Sequence, residues 1–125
     1  KDTIISQYRE QGTLAYCGYR TKQFINQMFS NEKESNNDRE IPINYSVKAL
    51  NFITIPSPQG ANPQVPDYAY GRKMTGKDAI SICYFGECAV SDGDFHVSLN
   101  IATMIDCPVM FYRQNNGYAM SMPSE

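Results

Sequence analysis

The sequence predicts an α/β fold in which two buried strands flank one crossover helix. Three observations support this class: a nearly continuous apolar run at 80–85, a second at 109–112, and a helical pattern between them. Strands that pair in parallel need a crossover of a dozen or more residues, and the intervening segment provides it. We therefore expect a right-handed β-α-β unit whose strands end at one edge of a sheet.

The chain before this unit gives weaker signals. Residues 22–29 carry apolar side chains at helical spacing, which predicts a short amphipathic helix. The polar segment 30–40 is expected to be a solvated loop, and 41–55 alternates weakly between apolar and polar residues. Because proline fits only the first turn of a helix, the next helix is expected to begin near Pro66 and to run toward Lys73.

The predicted β-α-β unit has clear boundaries. Both apolar runs are typical of strands that are buried on both faces. The helix is expected from Phe95 to Ile105, after the capping residues 91–94, and Pro108 ends its register. Since this helix is apolar around much of its girth, we expect the sheet and another subunit to cover it. Residues 115–117 then form a turn.

Polar side chains follow each of the two predicted strands. Glu87 comes directly after the first, and Asn116 follows the second, 29 positions later. Mg²⁺ prefers oxygen ligands and, when it also binds phosphate and water, takes only a few from protein. The Glu87 carboxylate, the Asn116 amide oxygen and the Tyr118 carbonyl would serve. This spacing predicts one divalent ion that holds a diphosphate.

Three strings give the chain a family resemblance: Gln-Tyr-Arg-Glu at 7–10, Cys-Tyr-Phe-Gly-Glu at 83–87 and Asn-Asn-Gly-Tyr-Ala at 115–119. They resemble the alpha subunits of thiamine-diphosphate-dependent 2-oxo acid dehydrogenases, particularly the branched-chain members. The likeness runs almost end to end, from about Gln7 to Glu125. It implies a partial doubly wound parallel sheet of the thiamine-diphosphate-binding fold. The region 1–125 would be one incomplete domain, with its diphosphate and metal half-site at 80–120.

The resemblance also implies the site residues. The implied contacts to thiamine diphosphate are Tyr8, Arg9, Ser57, Gln59, Cys88, Ala89 and Gln114. The implied Mg²⁺ ligands are Glu87, Asn116 and Tyr118. No catalytic residue is implied here, because the family's activating glutamate belongs to the beta subunit and its downstream histidine lies beyond this region.

Several positions depart from the family pattern. Cys88 stands where the family has glycine, and Gln114 where it has arginine, with Arg113 one place earlier. A shift of one residue turns a strand side chain to the other face, so Arg113 is not expected to replace that arginine. The segment 56–62 differs from the family's potassium loop, which leaves K⁺ binding open.

The implied parent protein decarboxylates branched-chain 2-oxo acids in an alpha2-beta2 heterotetramer that serves a lipoyl acyltransferase core. Its location would be the mitochondrial matrix, or the cytoplasm in a bacterium. Three alternatives stay open: a pyruvate-type relative, a catalytically inactive paralogue that binds partners, and another nucleotide-binding α/β protein, although no G-x-G-x-x-G motif is present. The chain is expected to be an excised piece, inactive alone and prone to aggregate through its exposed sheet edges.

Composition excludes other classes of function. A net charge of −2 and a pI near 5.4 provide no basic field for nucleic acid. No apolar stretch approaches the length that spans a bilayer. The four cysteines show no C-x-x-C spacing and are expected to be reduced thiols.

Each singled-out residue also has an ordinary structural interpretation. Glu87 alone reads as a solvated loop acid, and residues 115–117 as a simple turn. His96 is expected to cap or pack rather than to act as a base. Arg9 has the alternative of a weak surface pair with Glu10 or Asp2.

Overall fold

The computed structural model describes residues 1–34, 36–37, 39–55, 63–119 and 121–124. Its main feature is a sheet of four parallel strands, which confirms the predicted α/β class. The strands are Thr3–Ser6 (β1), Phe52–Thr54 (β2), Ser81–Gly86 (β3) and Val109–Gln114 (β4), followed by a small antiparallel pair, Tyr118–Ala119 (β5) and Met122–Pro123 (β6). The helices are Gln11–Tyr16 (α1), Thr21–Met28 (α2), Gln64–Met74 (α3) and Gly93–Met104 (α4).

The strand order β2-β1-β3-β4 determines where a ligand can bind. The chain leaves β1 for β2 on one side and later returns to β3 on the other side. In open α/β sheets such a reversal creates a crevice outside the carboxyl ends of the two central strands, and ligands bind there. The crevice of this sheet lies at the ends of β1 and β3.

Apolar clusters pack on the two faces of the sheet, because successive strand residues point to opposite sides. The members of the first cluster are Ile5, Val65, Cys83, Phe85 and Ala89. The members of the second are Leu14, Tyr19, Tyr45 and Phe52. Helices α3 and α4 contribute to or pack against the first cluster, and α1 contributes to the second. The sheet is thus covered on both faces at its β1 strand.

The prediction that both strands of the β-α-β unit are buried on both faces is wrong. In β3 only alternate residues are fully buried. In β4, Met110 and Tyr112 are 49% and 50% exposed, and the Tyr112 ring contacts Tyr84 at 5.0 Å between centroids. The second cluster packs against β1 and β2, so within the described part of the chain it leaves this face of β4 open.

Helix α2 is present, but of its predicted apolar face only Phe24 packs inward, against the second cluster. Ile25, Met28 and Phe29 are exposed, whereas Asn26 and Gln27 are buried. The Gln27 side chain explains this orientation, since its Nε2 donates to the carbonyls of Ile41 and Asn44 at 3.1 and 2.9 Å. A buried amide that is hydrogen-bonded in this way carries little desolvation penalty.

The other helices agree with the sequence in position and differ in detail. Helix α3 begins at Gln64, two residues before the expected start, and Pro66 still lies in its first turn. Helix α4 is capped by Asp92, whose Oδ1 accepts from the Asp94 N–H at 3.1 Å. The expectation that α4 is covered on more than one side is not met within the described residues, because Val97 and Met104 are exposed. Its covering by another subunit stays a prediction.

Among the described residues of the loop 30–40, one differs from expectation. Glu34 is buried rather than solvated, and its Oε2 accepts from the Asn36 N–H at 2.7 Å. None of the helices formed by the described residues is long and apolar enough to cross a membrane.

Candidate functional site

A cavity of about 710 Å³ opens at the carboxyl edge of the sheet, where the strand order reverses. Its lining comes from three loops: residues 7–9 after β1, residues 86–88 at the end of β3, and residues 114–116 and 118–119 after β4. This is the position at which parallel α/β sheets bind ligands. The cavity therefore gathers chain segments that are distant in sequence.

The structure brings Glu87, Asn116 and Tyr118 together at this edge. The Tyr118 N–H donates to Glu87 Oε1 at 2.9 Å and to Asn116 Oδ1 at 2.9 Å. The register of the sheet accounts for this meeting, because Gly86 pairs with Gln114 and the chain leaves both strands at the same level. The two side chains thus meet at one edge of the sheet, as the spacing in the sequence predicts.

The turn that presents Asn116 is built from local interactions. Asn115 Oδ1 accepts from the Gly117 N–H at 2.9 Å, which closes a side-chain turn. Gly117 has a φ of 81°, a conformation that favours glycine. The chain can therefore reverse between β4 and β5 within a few residues and direct Asn116 toward Glu87.

The oxygen atoms of Glu87, Asn116 and Tyr118 are of the kind that Mg²⁺ binds. A carboxylate, a side-chain amide and a backbone carbonyl are hard oxygen ligands, and Mg²⁺ fills its other positions with water and phosphate. Among the described residues, no group of three or more His, Cys, Asp or Glu side chains could hold a metal ion. A metal at this edge would thus combine Glu87 with amide and carbonyl oxygens.

The loop between β1 and α1 carries Tyr8 and Arg9 into the cavity lining. Glu10 Oε2 accepts from the N–H groups of Gln7 and Arg9 at 3.0 and 3.1 Å. Gln11 Nε2 donates to the Tyr8 carbonyl at 2.6 Å. The Arg9 guanidinium lies over the Tyr8 ring, 5.3 Å from its centroid.

The alternative of a surface ion pair for Arg9 is not formed. The ion pair found among the described residues joins Lys73 to Asp106. Asp2 is occupied elsewhere, since its Oδ1 accepts from the Ile80 N–H at 3.0 Å. Arg9 and Glu87 are the charged side chains in the described lining of the cavity. One cation and one potential metal ligand therefore face the same space.

The remaining predicted site residues divide into three groups. Cys88 and Gln114 line the cavity, whereas Arg113 does not, because β4 continues regularly through Gln114. Ala89 is buried in the core and lies outside the cavity lining. Ser57, Gln59 and the rest of the potassium loop lie outside the described residues.

Two residues near the cavity escaped the sequence interpretation. Gln7 lines the cavity, and Glu10 is only 5% exposed although the sequence suggested a surface acid. The signal that could have indicated Glu10 is its position between a strand and the start of a helix. His96 is exposed, its ring centroid lies 5.4 Å from that of the adjacent Phe95, and it is absent from the cavity lining. Its capping or packing role stays a prediction.

The cysteines have contrasting environments. All four are free thiols. Burial raises the pKa of Cys83 to about 12, and the negative charge of Glu10 adds to the shift. Cys88 is exposed at the cavity. Cys83 therefore stays protonated inside β3, and Cys88 is the thiol that a ligand in the cavity would meet.

Comparison with known proteins shows the family of the chain. The family model described as the dehydrogenase E1 component matches residues 1–125. The chain is 40% identical to the 2-oxoisovalerate dehydrogenase subunit alpha, mitochondrial, of Mus musculus and of Homo sapiens over 124 residues, which is 98% of the chain and 28% of each relative. It is 39% identical over 125 residues to 2-oxoisovalerate dehydrogenase subunit alpha 2, mitochondrial, of Arabidopsis thaliana, covering 99% of the chain and 26% of that protein.

The matched region spans just over a quarter of the length of these relatives. The match to the family model nevertheless covers every residue of the chain. It also excludes the alternative of an unrelated nucleotide-binding α/β protein. The chain belongs to the dehydrogenase E1 component family.

Proposed function

We propose that this chain is the cofactor-anchoring part of the alpha subunit of a thiamine-diphosphate-dependent branched-chain 2-oxo acid dehydrogenase. The observation that carries the proposal is the meeting of Glu87 and Asn116 at the Tyr118 N–H, in a cavity that Arg9 also lines. The relatives named 2-oxoisovalerate dehydrogenase support the substrate class.

The metal ligands of the proposed site are Glu87, Asn116 and the Tyr118 carbonyl. They would neutralise part of the charge of a diphosphate and fix its position at the sheet edge. Mg²⁺ is the expected ion because all three donors are oxygen atoms.

The remaining cavity residues would bind the diphosphate itself. Arg9 would donate to phosphate oxygens through its guanidinium, and Tyr8 would support it from the same loop. Cys88 would contribute main-chain groups, and Gln114 a neutral amide. Ala89 lies outside the cavity lining, and its contact is implied by the family resemblance alone. Ser57 and Gln59 complete the proposed contacts.

When bound, thiamine diphosphate supplies the chemistry: it adds to the keto carbon and stores the electron pair that remains when CO₂ leaves. The residues of this chain would hold and orient it, while the beta subunit supplies the activating carboxylate across an alpha-beta interface. The acyl group would pass to the lipoyl acyltransferase core of the complex. Since the relatives are named mitochondrial, the mitochondrial matrix is the proposed location.

A catalytically inactive paralogue is the second candidate. Two cavity residues favour it: Cys88 adds a side chain beside the diphosphate, and Gln114 provides no positive charge. A protein of this kind would keep the fold and the subunit contacts. It would bind the cofactor weakly or not at all.

Titration calorimetry of the full-length protein, purified together with its beta subunit, tests the proposal. We expect thiamine diphosphate to bind only with Mg²⁺, and Glu87→Gln to weaken binding by about 100-fold, as loss of a metal-site contact does. Glu32→Gln removes an exposed carboxylate from the loop 30–40 and serves as the matched control.

The outcomes separate the candidates. Absence of metal-dependent binding to the wild-type protein contradicts the proposed function and favours the inactive paralogue. Turnover of pyruvate with a higher kcat/KM than that of 3-methyl-2-oxobutanoate would instead assign the pyruvate-type activity.

A further inference from the structure

We propose that Glu10 is a positioning residue for the cavity, whose carboxylate fixes the backbone of residues 7–9 so that Tyr8 and Arg9 face a bound diphosphate. This inference rests on the proposed function for the identity of the ligand. The hydrogen bonds that Glu10 accepts from residues 7 and 9 are observed within the chain and do not depend on the ligand.

Every residue of the loop has a backbone group held in place. Glu10 Oε2 accepts from the N–H groups of Gln7 and Arg9, and Gln11 holds the carbonyl of Tyr8 between them. Residues 7–9 all line the cavity. A loop fixed at three consecutive residues presents its side chains in one arrangement, which reduces the entropy lost when a ligand binds.

The direction of the Glu10 side chain distinguishes this role from ordinary helix capping. Glu10 occupies the N-cap position of α1, yet its side chain makes no hydrogen bond to the helix. The helix start is served by main chain instead, because the Leu14 N–H donates to the Glu10 carbonyl at 3.0 Å. The carboxylate is used for the preceding loop.

The burial of Glu10 is costly for the fold, which argues for a role beyond stability. The side chain is 5% exposed, and its Oε1 is buried without a hydrogen-bond partner in the described part of the chain. Burying a charged oxygen without a partner is unfavourable, and such groups in folded proteins call for an explanation. Fixing the Arg9 loop beside an anion site provides one.

Two substitutions separate hydrogen bonding from charge. Glu10→Gln keeps an oxygen at the same reach, whereas Glu10→Asp keeps the charge and withdraws it by one methylene. In the full-length protein with its beta subunit, we expect Glu10→Asp to raise the Kd for thiamine diphosphate about tenfold, as loss of a charged hydrogen bond does, and Glu10→Gln to stay within about twofold. At saturating cofactor, kcat should stay unchanged in both.

Hydrogen exchange provides a readout that does not depend on the cofactor. The amides of Gln7 and Arg9 should exchange faster in Glu10→Asp than in the wild type, and at the wild-type rate in Glu10→Gln. Glu34→Asp is the matched control, since Glu34 is 7% exposed and also accepts a backbone N–H, but from Asn36, which does not line the cavity. It should leave the Kd unchanged even if it lowers the melting temperature.

Unchanged exchange at Gln7 and Arg9 in Glu10→Asp overturns the inference. An equal loss of affinity in Glu34→Asp overturns it as well, and so does retention of affinity in Glu10→Asp with its loss in Glu10→Gln. If the wild-type protein binds no thiamine diphosphate, the proposed function fails, while the exchange rates still decide whether Glu10 fixes the loop.

Discussion

Cys83 and Cys88 lie five positions apart, and the first is buried whereas the second is exposed. Cys83 is enclosed in the core cluster between the sheet and its helices, whereas Cys88 is exposed in the lining of the candidate cofactor cavity. Burial favours the neutral thiol because a thiolate is poorly solvated in the core. The two residues therefore report separately on the core and on the cavity.

Alkylation of Cys88 gives a direct test of ligand binding in the cavity. We expect iodoacetamide to modify Cys88 near neutral pH, and thiamine diphosphate with Mg²⁺ at ten times its Kd to slow this reaction about tenfold by occupancy. Mass spectrometry of proteolytic peptides measures the rate. Cys17 is the internal control because it lies outside the cavity lining. Equal rates at Cys88 with and without the cofactor would contradict a diphosphate beside this residue.

The buried thiol of Cys83 makes stability depend on alkaline pH. Its pKa of about 12 in the folded chain exceeds the ordinary value of 9.0, so the folded state holds the proton more tightly. Its contribution is fully present below pH 9 and is lost as the pH rises from 9 toward 12, by about 1 kcal/mol per pH unit. Burial also raises the pKa of Tyr45 and the pKa of Cys107, so the wild-type slope contains all three groups.

Cys83→Ala should therefore show a shallower decline in stability above pH 9 than the wild type. Urea unfolding at several pH values, read by fluorescence, measures this difference in slope. A cavity left by the substitution lowers stability at every pH and does not affect the comparison. Parallel slopes would show that Cys83 does not titrate in this way.

At the scale of elements, the predictions that succeeded depend on local sequence. Strands β3 and β4 follow from apolar runs, and α4 follows from its cap at Asp92 and its stop before Pro108. The exposed face of β4 depends on how far the second cluster extends, which no local pattern encodes. The orientation of α2, which leaves Ile25 and Met28 exposed, depends on hydrogen bonds from Gln27 to residues that lie 14 and 17 positions away.

The candidate site also contains residues that the sequence predicted and one that it did not. Glu87 and Asn116 were predictable because parallel strands end at one edge of a sheet. Glu10 was missed because its contribution passes through backbone N–H groups of its own loop, which a search for side-chain ligands does not detect.

The cap of α4 provides a prediction at this scale. Asp92→Ala removes the acceptor for the Asp94 N–H and should lower the free energy of unfolding by about 1 kcal/mol. Asp92→Asn keeps a suitable oxygen and should lose little. Urea unfolding of the full-length protein compares the two variants, and equal stability of Asp92→Ala and the wild type would contradict the capping role.

At the scale of the whole molecule, two exposed apolar surfaces stand out. One lies on the outward side of α2 and includes the residue that follows the helix. It is formed by Ile25, Met28 and Phe29, and Phe29 is 76% exposed. The other is the open face of β4, formed by Met110 and Tyr112. Large exposed apolar patches mark interfaces or aggregation sites. We expect further chain or another subunit to cover the two surfaces in the full-length protein.

Expressed alone, residues 1–125 should self-associate through these surfaces. Light scattering after size exclusion would show species larger than the 14.1 kDa monomer. The double variant Phe29→Lys and Tyr112→Lys places a charge on each surface and should increase the monomer fraction. The double variant Asn100→Lys and Thr103→Lys, at exposed positions of α4, controls for the two added charges. A monomeric wild-type fragment would contradict this prediction.

The loops at 7–9, 86–88 and 114–119 form one cavity although most of the chain separates the first from the last. A nascent polypeptide leaving the ribosome therefore has no complete pocket until Ala119 has emerged. If the pocket holds thiamine diphosphate, the cofactor can rescue an unstable variant only after this region has been synthesised. Supply of the cofactor would then act on the stages of biogenesis that follow the synthesis of Ala119 and not on earlier ones.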